Sequence, residues 1–547
     1  MLNFHKLFGK HDIQVMAGHE WNKTTTKRLT AYARNGFSTE VHEVNNFGDR
    51  YDSGSYTVEF NREGWLGSAM YNYDEKYFGQ ISYRRDASSA FAKDHRWGDF
   101  WSVGAAWMIS KEEFMESTKD WLDQLKLKVS LGQQGNDGLN FYWNWTNIYS
   151  LSRSGNDIVP SFSRLGNPEI TWETTTNLNI GLEFSLLKGR LSGSFDFYNK
   201  KTSDLLFWLN VPESFGVRGY YDNIGDIRNR GIEFTLSADI IRTNNFSWNV
   251  SLNAAHNSTK ILELPESKTR QNGGYAATSN FGDLYSWFAE GEPMQNAFLY
   301  DYAGIYTEET WQKTLDTEYD PKKAGLAMYW GDKSLWVTEQ VEQEDGTITE
   351  EFKSMNTSKP GTNRDYATTV SSNASRYAMG STLPKLNGGF ATSIRVYDFD
   401  ASATFDYQLG GKIIDYGYRV LMGPESGSSV SARTFHRDIL NAWTLENQNT
   451  DIPRFQYGDD YTTLASTRFL TSARYLNFQS FSVGYTLPKA ITQKFYVDKL
   501  RVYVQGQNLC FWSVRKGLDP RYSFGSTADT NVYSPVRTIS GGVQITL

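Results

Sequence analysis

The residues of this 547-residue chain best suited to hold a ligand are aromatic, with polar neighbours. Tyr142, Trp143 and Trp145 lie in the run Phe141-Tyr142-Trp143-Asn144-Trp145. Trp208 ends Leu205-Leu206-Phe207-Trp208, and Trp287 stands beside Tyr285 and Phe288. Sugar rings stack their apolar faces on such side chains and need hydrogen bonds at their rims, which Asn and Asp supply. The competing reading is that these rings fasten loops together or meet a protein lid. Tyr142, Trp143, Trp145, Trp208 and Trp287 are therefore the candidate substrate-binding residues.

Catalytic patterns are missing. His5, His11, His19, His42, His95, His256 and His436 form no His-Glu-x-x-His or His-x-His arrangement with metal spacing. No Gly-x-Ser-x-Gly elbow and no phosphate-binding Gly-rich loop is present. His11 and His19 would share one face of a strand, which reads as a solvated face rather than a metal site. A glycosidase pair among the 62 acids cannot be told from spacing. The acidic stretch with Glu342, Glu344, Asp345, Glu350 and Glu351 reads as a solvated hairpin turning at Asp345-Gly346. A calcium site in this loop stays open but unsupported, since EF-hand spacing is absent. The expectation is a protein that is not an enzyme and has no cofactor and no metal.

Composition narrows the classes further. The net charge is −7 and the pI near 5.7, which argues against a nucleic-acid partner, since polyanions need excess positive charge. Aromatic residues make up 15% while mean hydropathy is −0.55. Such a chain is too aromatic to be disordered and too polar for a helical membrane protein. Cys510 is the single cysteine, so no intrachain disulfide forms. No apolar run is long enough for a transmembrane helix. The opening segment MLNFHKLFGKHDIQV has no apolar core of a signal peptide.

The elements that would position the aromatics are strands. Leu178, Ile180, Leu182, Phe184 and Leu186 alternate with Asn179, Gly181, Glu183 and Ser185. Ala401, Ala403, Phe405, Tyr407 and Leu409 alternate with Ser402, Thr404, Asp406 and Gln408. This period of two marks strands with two different faces. The pattern predicts about 14 strands, near 11–22, 64–73, 77–86, 98–110, 123–134, 172–187, 190–206, 225–241, 246–260, 385–397, 399–411, 468–487, 498–509 and 537–547. The best helix candidate is the short stretch Lys111–Leu122.

Short links, as after Tyr73, Leu187, Ile241 and Tyr397, alternate with long ones at 23–63, 87–97, 135–171, 207–224, 261–384, 412–467 and 510–536. Outer-membrane barrels connect their strands in this way. Tyr71, Tyr73, Tyr77, Phe78, Phe195, Phe197, Trp248, Tyr397 and Phe399 near strand ends fit an interfacial girdle. A soluble sandwich lacks the short/long rhythm, and no propeller repeat is found. The expected fold is all-β, a transmembrane antiparallel β-barrel with long extracellular loops.

Specific segments carry a family resemblance. They include Ser82-Tyr83-Arg84-Arg85-Asp86-Ala87-Ser88-Ser89-Ala90-Phe91, Arg96-Trp97-Gly98-Asp99-Phe100-Trp101 and Asn167-Pro168-Glu169. Trp172-Glu173-Thr174-Thr175-Thr176-Asn177, Asn223-Ile224-Gly225 and Asn229-Arg230-Gly231-Ile232-Glu233 follow, then Pro384 to Gly389, Asn441-Ala442-Trp443-Thr444 and Gln507-Asn508-Leu509. In this order, from about residue 65 to the end, the chain resembles the SusC/RagA-like TonB-dependent transporters of Bacteroidota. The recurring Tyr302-Ala303-Gly304-Ile305-Tyr306 is assigned a structural role.

The resemblance implies a plugged barrel of about 22 strands in the cell outer membrane. Residues 1–547 are expected to be its C-terminal part, beginning at a periplasmic turn near Phe8-Gly9-Lys10, with plug, TonB box and signal peptide absent. The final Leu547 departs from the aromatic the family favours. The implied activity is import of oligosaccharides, less often peptides. The implied partners are membrane lipid, a SusD-like surface lipoprotein over the mouth, and the TonB complex acting through the plug missing here. Without the plug the chain is expected not to transport by itself. Two other readings are a secreted soluble glycan-binding or glycan-cleaving β protein and a non-functional truncated remnant of a transporter.

Overall fold

The computed structural model describes residues 1–139, 142–154, 157–269, 272–278, 285–342, 347–423, 434–515, 517–522 and 535–547. Phe141 and the expected turn at Asp345-Gly346 lie outside the described residues. The main sheet has 15 strands in sequential order. They are β1 (Leu2–Phe8), β2 (His11–Gly36), β3 (Phe47–Tyr73), β4 (Tyr77–Ser88), β5 (Trp97–Met108) and β6 (Leu122–Asn136). β7 (Glu173–Leu186), β8 (Leu191–Ser203), β9 (Asp226–Arg242) and β10 (Phe246–Glu263) follow. β11 (Leu386–Val396), β12 (Phe399–Leu409), β13 (Tyr475–Thr486), β14 (Lys499–Ser513) and β15 (Thr538–Thr546) complete it. The strand order is linear, with β1 and β15 at its two ends.

All the expected strands are present, and four expectations need correction. β1 was not expected. The connection 23–63 is the outer half of β2 and β3, paired from Lys23↔Asn61 to Gly36↔Phe47. Its threonines favour strand, and polar side chains on both faces hid the alternation. The stretch 111–122 forms the 3-10 turns Ile109–Lys111 and Glu113–Thr118 instead of an α-helix. Leu470–Ser472, expected to open β13, pairs with Lys412–Ile414.

The chain divides into two compact units. One comprises Met1–Glu116, Lys126–Ile180 and Asn199–Asp226; the other comprises Ser117–Leu125, Gly181–Tyr198 and Ile227–Leu547. In the first unit, cross-strand rows show two chemistries. Ala69↔Ile81↔Val103↔Leu131 and Ile13↔Tyr71↔Gly79↔Ala105↔Val129 form one face. Gln14↔Met70↔Gln80↔Gly104↔Ser130 and Met16↔Ser68↔Ser82↔Ser102 form the other. The apolar face is open, with Ile81 59% exposed. At one end of that face lie Tyr73, Tyr77 and Trp107, and at the other Tyr83 and Trp101. An aliphatic band between two aromatic rows is what a bilayer selects. Phe78 departs from the girdle expectation. It lies on the polar face, where Lys126 Nζ sits 5.0 Å from its ring centre.

The second unit repeats the pattern. Trp248↔Ile394↔Ala401↔Val483↔Val504 is an apolar row, and Asn249↔Ser393↔Ser402↔Ser482↔Gln505↔Ser540 a polar one. Its turns at 243–245 and 397–398 are tight, and Tyr397 takes a positive φ of 52° to close one of them. The connections 264–385 and 410–474 are long and carry sheets of their own.

Candidate functional site

In the first unit the loop aromatics rest on a knot of hydrogen bonds. Asp137, 7% exposed, accepts from Ser88 Oγ at 2.6 Å and from Arg62 Nε at 3.0 Å. Buried Phe91 and Phe100 pack on Trp172 at centroid distances of 5.4 and 5.3 Å. The Trp172 Nε1 donates to the Arg96 carbonyl at 2.9 Å. Asn223 Oδ1 accepts the Thr171 amide at 2.7 Å, and its Nδ2 donates to the carbonyls of Thr171 and Asp204, each at 2.9 Å. Asn167 Nδ2 donates to Tyr221 O and Asp222 Oδ1. Five of the segments that carried the family resemblance, those around Ser88, Arg96, Asn167, Trp172 and Asn223, thus meet as one structural clasp, because each Asn saturates backbone groups that a loop would otherwise leave unpaired.

Four candidate aromatics surround this clasp. Tyr142 stacks on Phe60 with centroids 4.6 Å apart. Trp145 packs against the core of Ala90, Phe91, Phe100, Ile170 and Trp172. Trp208 lies on Leu206–Asn210, a strand paired with Gly219–Asn223. Its indole meets Tyr221 edge-on at 5.0 Å, and its Nε1 donates to Asn210 Oδ1 at 2.9 Å. Trp143 is the most open of the four, at 40% exposure. Phe60 and Tyr221 complete the group. Sequence reading missed both, although Tyr221 follows Tyr220 in the expected long connection 207–224.

In the second unit, Trp287 is only 4% exposed, which corrects the expectation of an open ring. It lies on Tyr285–Ala289, inside a four-stranded sheet with Gly274–Thr278, Asn296–Tyr300 and Arg376–Ser381. Its ring packs 5.4 Å from that of buried Phe298. The connection 264–385 is long enough to build a core, and the indole fills it.

A second loop sheet joins Tyr302–Ile305, Ala327–Gly331 and Tyr366–Thr368. Tyr329 is fully buried there, and burial pushes its hydroxyl well above the usual phenol range. Tyr306, from the motif assigned a structural role, is buried and stacks on Tyr319 at 5.7 Å. Asp332 next to this sheet is fully buried. Burial alone would raise its carboxyl. Donors from Asn363, Ser334 and Thr362 outweigh that and hold it below the usual carboxylate range.

His11 Nδ1 lies 2.8 Å from Tyr71 Oη, and His19 Nε2 3.2 Å from Glu63 Oε1. Among the described residues no group of three or more His, Cys, Asp or Glu is placed to hold a metal.

A family profile described as TonB dependent receptor-like, beta-barrel matches residues 2–321. TonB-dependent receptor P3 of Formosa agariphila is 27% identical over 565 residues, covering 100% of this chain and 51% of that protein. The TonB-dependent receptor SusC of Bacteroides thetaiotaomicron is 25% identical over 559 residues, covering 99% of this chain and 49% of that one. Among solved structures, one described as the RagAB peptide transporter superposes with a TM-score of 0.78 at 23% identity. That match covers 99% of this chain and 54% of the other. The chain belongs to the TonB-dependent receptor-like β-barrel family, an outer-membrane family, in agreement with the SusC/RagA-like motif segments of its sequence. It spans about half the length of the curated relatives it matches.

Proposed function

We propose that this chain forms barrel wall and extracellular loops of an outer-membrane importer driven through TonB. The observation that carries this reading is the two-faced sheet, with an aliphatic band outside, a polar face opposite, and long structured connections. The whole importer would close the sheet with further strands and hold the plug that TonB engages. A 15-stranded sheet with two bare edges is costly in lipid because unpaired backbone groups find no water. The cargo is an oligosaccharide or a peptide, in keeping with relatives named SusC and RagAB. A SusD-like lipoprotein would cover the loops. Tyr142, Trp143 and Trp208 are the residues we assign to cargo contact.

Two measurements test it. An antibody to the loop 285–342, used on outer-membrane fractions, should detect a band about twice the 62.4 kDa of this chain, given the coverage of its relatives. A membrane band at the chain's own mass would overturn the plugged-importer reading. Labelled oligosaccharides and peptides should then be offered to cells with and without the gene. Loss of uptake of one class, with equal loss when the proton gradient is collapsed, is expected. Unchanged uptake of both would overturn the import reading.

A further inference from the structure

The loop sheet that buries Trp287 also carries an arginine beside two rings. Tyr300 and Arg376 are direct cross-strand partners. Tyr285 pairs with Phe298, two residues away on the same face as Tyr300. The Arg376 guanidinium carbon lies 4.5 Å from the Tyr285 ring centre and 4.7 Å from that of Tyr300. Both rings thus lie within cation–π distance of the guanidinium, and the side chain is part-buried.

Its edge is different. Among the described residues no carboxylate pairs with Arg376, and no acceptor takes its side-chain N–H groups. Other loop arginines are satisfied: Arg364 pairs with Asp301, Arg454 with Asp459 and Arg515 with Asp415. A guanidinium beside two rings has fewer conformations to lose when a ligand arrives, and its planar fork of donors is unpaired among the described residues. Such a fork fits two oxygens in one plane, and its single positive charge matches a single negative one.

We propose that Arg376 is an anchor for a carboxylate on the cargo, with Tyr285 and Tyr300 as the clamp that holds it in plane. This rests on the import reading above and narrows its cargo to acidic molecules. The carboxylate belongs either to a uronic acid in an oligosaccharide or to the free C-terminus of a peptide.

Equilibrium binding to the purified full-length protein in detergent tests this. The probes are an oligogalacturonide, the corresponding neutral oligogalactoside, and one peptide with a free or an amidated C-terminus. The acidic member of one pair should bind at least tenfold more tightly than its neutral partner. Which pair responds identifies the source of the carboxylate. Arg376→Gln and Arg376→Lys should each erase that preference, because Lys keeps the charge but loses the planar fork. The neutral probe should bind both variants as it binds the native protein. Equal binding of acidic and neutral probes to the native protein overturns the anchor while leaving the import reading intact, and this comparison needs no variant. Binding of no probe of either class overturns both. Loss of acidic and neutral binding together in both variants would make Arg376 a structural rivet and also overturn the anchor.

Discussion

Two sets of aromatic rings in the second unit look alike in sequence and differ in surroundings. On the wall, Phe390, Phe405 and Phe478 stack side by side across β11, β12 and β13, with centroids 4.5 Å apart at each step. In the loop sheet, Trp287 and Phe298 are sealed, at 4% and 1% exposure. The wall rings lie on a face whose other members, such as Val483 at 47%, stay open. The loop rings have a core built from their own connection. The lesson is that the wall's apolar face is complete only in lipid, while the loop supplies its own interior.

This contrast breaks most visibly in the loop. Phe298→Ala should cost about 4 kcal/mol of local stability, the usual penalty for emptying a buried aromatic site. Hydrogen exchange should show protection lost in Tyr285–Ala289 and Asn296–Tyr300 while β11 to β13 keep theirs. Loss in all of them would mean that loop and wall unfold together.

On the wall, the two faces should answer opposite ways to the same charge. Val483→Arg places a guanidinium in the lipid and should destabilise by about 3 kcal/mol, whereas Gln505→Arg on the polar face should change little. Urea unfolding in lipid vesicles measures both. Equal effects would remove the assignment of the faces.

Asp332→Asn should cost the loop about 2 kcal/mol, since several donors lose their charged acceptor. The folded carboxyl lies below its unfolded value, so its stabilisation is complete above the unfolded pKa. It is lost as pH falls through the folded one. The native-to-variant gap should therefore stay level at neutral pH and shrink below about pH 4. A gap that widened on acidification would contradict the carboxylate's role.

The smallest effect on stability is expected at Trp143, where Ala should change it by less than about 0.5 kcal/mol. Cargo binding should nevertheless weaken, which titration of the ligand would show. A folded variant with native affinity would remove Trp143 from the cargo surface.

Much of the wall was legible in the residues themselves. Alternation such as Ala401 to Leu409 reports strand and face together, because successive Cβ atoms point to opposite sides of the backbone. β1 has no clean alternation, since Lys6 shares a face with Leu2, Phe4 and Phe8 while Leu7 lies on the other, and the outer half of β2 and β3 carries polar residues on both faces. The motif segments were visible, but their clasp was not. Asn167 reaches Tyr221 and Asp222, and Asn223 reaches Thr171, across gaps that no local pattern spans.

The aromatic candidates divide along the same line. That Trp143 and Trp287 stand in long connections follows from the strands on either side of them. Whether each ring faces outward was decided only by the tertiary structure. Trp143 stays open beside the clasp, while Trp287 is closed in by Phe298. The sequence by itself determined most of the wall strands and the alternation of their two faces, because that geometry repeats every two residues. Burial, the two rings beside Arg376 and the satisfaction of Asp332 depend on strands distant in sequence, and only folding brings those together.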